Sequence, residues 1–253
     1  MKDRVQPITL PLLVAVVFIT GWHFAVKLTG TDVFPTPAMV ISGLVELARK
    51  GVLAKSIAAS LFRVATGFLL AALVGVPCGL LLGWFTSLRR AFNPALQVLR
   101  PISPIAWIPV AILWFGESGV APVFLIFLAS LFPITSAAMA AVQNIQVVYI
   151  RAARNFGMRG LELFRKVVFP AALPQILTGL RLALGVSWLM VVAAEMIAAN
   201  SGLGHLIIDA RNAGKRYDLV VAGMLMTGLI GLGLDVLIRQ AEKLDEVRWG
   251  LSR

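Results

Sequence analysis

The segment RAARNFGMRGLELFRKVVFPAALP, Arg151–Pro174, carries five basic residues and one acidic residue inside a very apolar chain. Its chemistry is that of recognition. On a helix, Leu161, Phe164 and Val168 share one face, and Arg159, Glu162 and Lys166 share another, with Glu162 and Lys166 at the favourable i,i+4 spacing. A first helix ends near Phe156, and Gly157 permits a turn. Pro170 cannot continue the second helix and pushes Phe169 out of helical geometry, and Pro174 precedes the next apolar run. A short amphipathic helix with basic edges suits a groove on a partner protein. The competing uses are packing on its own bundle or on anionic headgroups.

Other residues offer less. Glu195, in AEMIAANSGLG, is an acidic residue in the outer half of an apolar run, where such groups are costly and functional by default. It lines a pathway, gates it or pairs with an arginine, unless the run ends before it and leaves it in the external interface. Arg63 snorkels or pairs with an acidic group. Asp235 pairs with Arg239 at i,i+4. Pro101, Pro104 and Pro109 interrupt a run around Trp107, and broken helices line cavities, so Trp107 joins Glu195 as a pathway candidate. Gly75, Gly79 and Gly83 recur every four residues, a flat stripe for close helix packing within the subunit or across a dimer. No nucleophile–base constellation appears, and Ser201 lacks a His/Asp context, so no catalytic residue is assigned. His23 and His205 are too far apart in sequence and topology for a metal pair. Without a GxxxxGK[ST] loop the chain does not hydrolyse ATP by that route. The single Cys78, in an apolar run, is expected to be a small packed side chain.

These residues must be positioned by elements that live in lipid. The chain has 253 residues, 59% hydrophobic and 14% charged, with long charge-free runs between short charged clusters. That pattern predicts an all-α polytopic membrane protein of about six spans. They are Val5–Val26, Val64–Leu88, Pro101–Gly116, a span within Ser118–Ile150, one from near Gly179 past Glu195, and Leu219–Leu234 continued by Val236–Ile238. The first run could pass for a signal peptide, but KLTGTDVFPTP offers no convincing cleavage site, so it reads as an anchor. With both termini cytoplasmic, 15 of the 23 Lys and Arg fall on the inner side and eight on the outer. The basic segment is then cytoplasmic. The net charge of +11 is orienting charge at span ends, so nucleic acid is not a predicted partner. Outside the membrane, Thr36 caps a helix begun by Pro37, with Ile41, Leu44, Val45 and Ala48 on one face. It lies on the membrane surface or packs on the protein.

The basic segment resembles the cytoplasmic loop signature of binding-protein-dependent ABC importer permeases: Glu-Ala-Ala, three residues, Gly, nine residues, Ile, one residue, Leu-Pro. Ala152, Ala153, Gly157 and Pro170 match it, Val167 and Phe169 are conservative replacements, and Arg151 reverses the sign of the family's glutamate. The resemblance runs from about Ser60 to Trp249. SLFRVATGFLLA, RPISPIAWIPVAILWFG, FLIFL, PAALPQILTGLRLALGVSW and AEMIAANSGLGHLI resemble the nitrate/sulfonate/taurine branch.

The resemblance implies a type I ABC importer permease fold in the cytoplasmic (inner) membrane. It divides the chain into residues 1–58 (first span and external helix), 59–240 (permease domain with a coupling loop at 143–175) and a tail at 241–253. Arg151, Ala152, Ala153, Gly157, Leu161, Phe164, Val167 and Pro170 become the coupling element, docked on a cytosolic ABC ATPase that binds ATP and Mg; this chain holds no cofactor. The other implied partners are a periplasmic or lipid-anchored substrate-binding protein, a second permease subunit expected to be identical, and membrane lipid. The implied function is a permease for a small solute such as a sulfonate, nitrate or taurine. A secondary transporter driven by an ion gradient is the alternative; it would have no need to dock an ATPase.

Overall fold

The computed structural model describes residues 6–30, 34–116 and 118–241, and every regular element among them is helical. Eleven α-helices follow in order: α1 (Gln6–Thr29), α2 (Pro37–Arg49), α3 (Val52–Trp84), α4 (Thr86–Leu99), α5 (Ile108–Phe115), α6 (Val120–Gln143), α7 (Val147–Asn155), α8 (Gly160–Leu163), α9 (Phe169–Ala198), α10 (Leu203–Gly214) and α11 (Tyr217–Ala241). A 3₁₀ turn, Pro104–Trp107, leads into α5, and a π turn, Phe164–Val168, joins α8 to α9. Helices dominate because a chain in hydrocarbon must satisfy its backbone groups within each segment.

Four helical stretches are long and apolar enough to cross a membrane: Val52–Trp84, Val120–Gln143, Gly160–Ala198 and Tyr217–Leu237. The helices Thr86–Leu99 and Pro104–Phe115 make a fifth only as a pair bent by 83°. The described apolar part of α1 is Leu13–Leu28. Charge-free runs therefore misjudge where spans begin. Helix α3 starts at Val52, well ahead of Val64, because Arg63 is buried against a counter-charge and does not end the helix. The span expected from Pro101 is the second arm of the bent pair. The span expected from near Gly179 is continuous from Gly160, with Pro170 and Pro174 inside it. A proline ring strikes the carbonyl four residues back, which for Pro170 is that of Lys166. The π turn widens the backbone at that residue, and the helix continues.

The core is a three-layer stack with α6 between α3 and α9. The glycines of α3 face α6: a Cβ at Gly75 would sit 3.0 Å from Ile134 Cγ2, one at Gly79 2.5 Å from the Thr135 carbonyl oxygen, and one at Gly83 2.7 Å from Val142 Cβ. Ala137 of α6 approaches Gly179 of α9 in the same way. Without a hydrophobic drive between helices in lipid, such backbone approach and its van der Waals contacts hold the bundle. The hydroxyls of Ser130 and Ser187 share a buried 2.6 Å hydrogen bond between α6 and α9. Cys78 is exposed rather than packed, because it lies beside that glycine face, on the edge of α3 that borders an open trough.

Helix α2 begins as expected, with Thr36 Oγ1 accepting from the Met39 N–H at 3.4 Å. Its buried residues are Val40, Gly43 and Leu47, set against Leu206 of α10 and Ala222 of α11. Ile41 and Val45, expected on the contact face with Leu44 and Ala48, are exposed. The helix packs on the protein through the adjacent stripe, because that is where α10 and α11 meet it. Glu46 fixes the junction: Arg216 donates to it at 2.7 Å and Lys50 at 2.6 Å, while Arg216 also pairs with Asp218 at 2.8 Å. The Arg216 guanidinium holds the Glu46 carboxyl below the usual carboxylate range.

We expect Gly79→Val to lower the thermal midpoint of the detergent-solubilised chain by an amount equivalent to about 1–3 kcal/mol, the usual cost of overpacking. Gly228→Ala, where an added Cβ meets nothing within 4 Å, should leave the midpoint unchanged.

Candidate functional site

Two places gather polar chemistry on this apolar frame, one at each end of the Gly160–Ala198 helix. The first is the pair α7–α8. Helix α7 ends at Asn155, and Gly157 takes φ +84°, a left-handed conformation that glycine accepts at no steric cost. Gly160, at φ +54°, opens α8. Lys166 donates to Glu162 at 2.8 Å, the i,i+4 pair read in the sequence.

The face toward the bundle differs from the one expected. Leu163 and Val168 are buried and Phe164 packs against Trp84 edge-on at 5.9 Å, whereas Leu161 is 72% exposed. The π turn adds a residue to the repeat, so the buried stripe reads Leu163, Phe164, Val167, Val168 and then Ala172 and Ile176 of α9. Leu161 turns outward beside Phe156, which is 85% exposed, and Val148 and Tyr149 of α7 are exposed as well. Arg151, Ala152 and Arg154 are exposed on α7, Arg159 just before α8 and Arg165 in the π turn, while Ala153 is buried. The result is a set of exposed apolar side chains interspersed with exposed guanidinium groups at one end of the continuous Gly160–Ala198 helix. An apolar centre with a charged rim is the usual composition of a protein-docking face.

The second place is the buried carboxylate of Glu195. It is fully enclosed, in the last turn of α9. Arg63 of α3 donates to its Oε1 at 2.6 Å, the Ser60 hydroxyl approaches both oxygens at 2.8–2.9 Å, and the Gly204 N–H donates to Oε2 at 3.0 Å. Arg63 also donates to the Ser201 carbonyl at 2.7 Å and to its hydroxyl at 2.6 Å. The Leu203 N–H donates to Ser60 Oγ at 2.9 Å. Leu203 and Gly204 open α10, so Glu195 and Ser60 satisfy amides that a helix start leaves without partners.

This closed arrangement gives Glu195 a counter-charge and three donors, the conditions under which a buried charge is tolerated. It requires glycine at two positions: a Cβ at Gly202, where φ is +106°, would fall on the Glu195 carboxylate, and one at Gly204 on the Val192 carbonyl. Of the alternatives open in the sequence, pairing with an arginine is the one seen. Arg63 is its partner, and the helix does not end before Glu195.

Ser60 escaped the sequence reading. Its signal was present, because Ser60 and Arg63 stand three apart and so share a face of α3. Ser201 takes part as a hydrogen-bonding group, a use its lack of a His/Asp context does not exclude. Trp107 is not brought to Glu195. It closes the 3₁₀ turn and packs against the apolar cluster formed by residues of α5, α6 and α9, Ala194 and Ala198 among them. Asp235 accepts from Nε and Nη2 of Arg181 at 3.2 and 3.0 Å, tying α11 to α9 beside a cavity of about 170 Å³ lined also by Trp188 and Gly231. The side chain of Arg239, its expected partner, lies outside the described residues. Among the described residues no group of three or more His, Cys, Asp or Glu could hold a metal ion.

Comparisons with known proteins bear on the family and the fold. Residues 75–243 match the family described as binding-protein-dependent transport system inner membrane component. The nitrate import permease protein NrtB of Leptolyngbya laminosa is 42% identical over 72% of this chain and 65% of its own length. The taurine transport system permease protein TauC of Escherichia coli is 34% identical over 94% of this chain and 89% of its own. Among solved structures, a chain of a bacterial alginate ABC transporter, in complex with an alginate pentasaccharide-bound periplasmic protein, superposes with a TM-score of 0.64 at 14% identity. That match covers 99% of this chain and 97% of the other.

Breaking the buried pair should be costly. Arg63→Ala leaves Glu195 buried without its counter-charge, and we expect a loss of about 3–5 kcal/mol, read as a large drop in thermal midpoint and in yield of monodisperse protein. The double variant Arg63→Met/Glu195→Gln should lose much less than the sum of its single variants, since the two groups act as one unit.

Proposed function

Because this chain belongs to the family of binding-protein-dependent transport system inner membrane components, we propose that it forms half of the membrane path of an ATP-driven importer for a small solute. It is a permease subunit and a multi-pass inner-membrane protein, not itself an enzyme. The observation that carries the proposal is the exposed apolar and basic face of α7–α8 at the base of α9.

In this reading the face, with Phe156 and Leu161 at its centre, seats in a groove of a cytosolic ATPase. The Gly157 turn sets its angle. ATP and Mg are bound by that ATPase and not by this chain. The side bearing α7–α8 is cytoplasmic, which agrees with the excess of Lys and Arg assigned to it. Arg151 stands where the signature has an acid, so the ATPase presents an acidic or neutral surface there. Solute is handed over by an external binding protein, of the kind that the alginate transporter holds in its complex with a periplasmic protein. A second copy of the chain completes the path, each subunit supplying half of it. The names of NrtB and TauC support nitrate, taurine or a related sulfonate as cargo. Movement of the docked face is passed to the far end of the bundle along Gly160–Ala198, whose outer turn is locked to α3 and α10 through Glu195.

Purification of the tagged chain from its native membrane in mild detergent tests this. We expect two copies to elute with two ATPase subunits. Phe156→Ala, which removes a ring that is 85% exposed, should weaken that association by roughly 30-fold, the loss of about 2 kcal/mol typical of an interface anchor. Its thermal midpoint should not change. A chain that elutes alone, with uptake that persists when ATP is depleted and an ion gradient is kept, would overturn the proposal in favour of a secondary transporter.

A further inference from the structure

Helix α4 is amphipathic, yet none of its residues is buried. Its apolar side forms, with α3 and α6, an open trough of about 290 Å³. Val74, Cys78 and Leu81 of α3 make one wall, Phe92 and Leu96 of α4 the other, and Phe132 of α6 the floor. Almost nothing polar lines it, so water is a poor occupant.

The trough has a charged end. The turn between α3 and α4 lies at the α7–α8 end of the bundle, because Trp84 meets Phe164 there. Arg89 and Arg90 stand in the first two turns of α4, one half-buried and one exposed. From Phe85 to Gly116 the chain has three arginines, Arg89, Arg90 and Arg100, and no Asp or Glu. An apolar trough inside a bilayer, with guanidinium groups at its headgroup-level end that form no ion pair among the described residues, matches a molecule with an acyl chain and an anionic head. A second copy of this chain is a poorer fit: a two-fold axis along the membrane normal keeps residues at their own depth, and would set Arg89 and Arg90 against themselves.

We propose that the α3–α4–α6 trough is a binding site for an anionic phospholipid, one acyl chain lying along Cys78, Phe92 and Phe132 and the phosphate held by Arg89 and Arg90. This goes beyond the transport reading and does not depend on which solute is carried. The bound lipid fills the elbow at Phe85 and props the bent arm formed by α4 and α5.

The test uses the full chain in vesicles containing trace phosphatidylglycerol with a photoactivatable group in its acyl chain, and in matched vesicles with a phosphatidylcholine of identical tails. Crosslinked peptides are mapped by mass. Crosslinks to the stretches around Cys78, Phe92 and Phe132 should favour the anionic lipid by about tenfold or more, given two arginines near the surface. The preference should shrink to near unity in Arg89→Gln/Arg90→Gln, and should also fall in the unaltered chain as salt is raised. Equal labelling by the two lipids in the unaltered chain would overturn the proposal. So would absence of trough labelling together with ready Cys78–Cys78 crosslinking between copies, which would give the surface to a second chain.

Discussion

The helix that runs unbroken from Gly160 to Ala198 is the constraint on which the rest of the structure depends. At about 1.5 Å per residue, its 39 residues reach nearly 60 Å, more than a bilayer's hydrocarbon core requires. Two prolines lie inside it, and the π turn at Phe164–Val168 absorbs the first. A break at Pro170 would have left the α7–α8 face on a loose loop. Continuity makes that face the foot of a transmembrane rod. The rod is gripped along its length by α6, through Gly179 against Ala137 and the Ser130–Ser187 hydrogen bond. At its far end it is gripped by Arg63 and the first amides of α10.

The two ends obey different physics. At the foot, exposed apolar groups sit among exposed arginines, the face that the proposed ATPase would cover. At the far end, every polar group of the Glu195 cluster is satisfied inside the chain. A buried ion pair adds little net stability over a well-packed apolar alternative, yet losing one member is costly. Such a pair therefore specifies geometry more than it strengthens the fold. Here it fixes three elements distant in sequence, α3, α9 and α10, to one another.

Much of this was legible in the residues. The helix–Gly–helix shape of Arg151–Val168, the Thr36 cap and the Glu162–Lys166 pair are local, and local rules found them. The membrane character followed from charge-free runs. What could not be read locally is tertiary. Charge-free counting cut α3 at Arg63, because only the fold supplies Glu195, 132 residues away, to neutralise it. It placed the start of α9 near Gly179 and stopped the preceding helix at Pro170, because the π turn that accommodates a proline leaves no mark in composition. The same turn carried Leu161 out of the buried stripe and Leu163 into it. The blocks SLFRVATGFLLA and AEMIAANSGLGHLI were quoted for resemblance alone. The structure gives their physical content: Ser60 and Arg63 of one meet Glu195, Ser201, Gly202 and Gly204 of the other.

The account's central claim is that Gly160–Ala198 moves as one body between docked foot and outer lock. The direct measurement is the spin-label distance between Lys166 and Ile197, both exposed and outside the docking face, in a Cys78→Ser background. It would be made on complexes assembled with excess unlabelled chain, with nucleotide absent and with ATP trapped. Thirty-one residues of helix predict a distance of about 46 Å, the same in both states. A distance that shortens or broadens when ATP is trapped would mean that the helix bends at its π turn and prolines, and would contradict the claim.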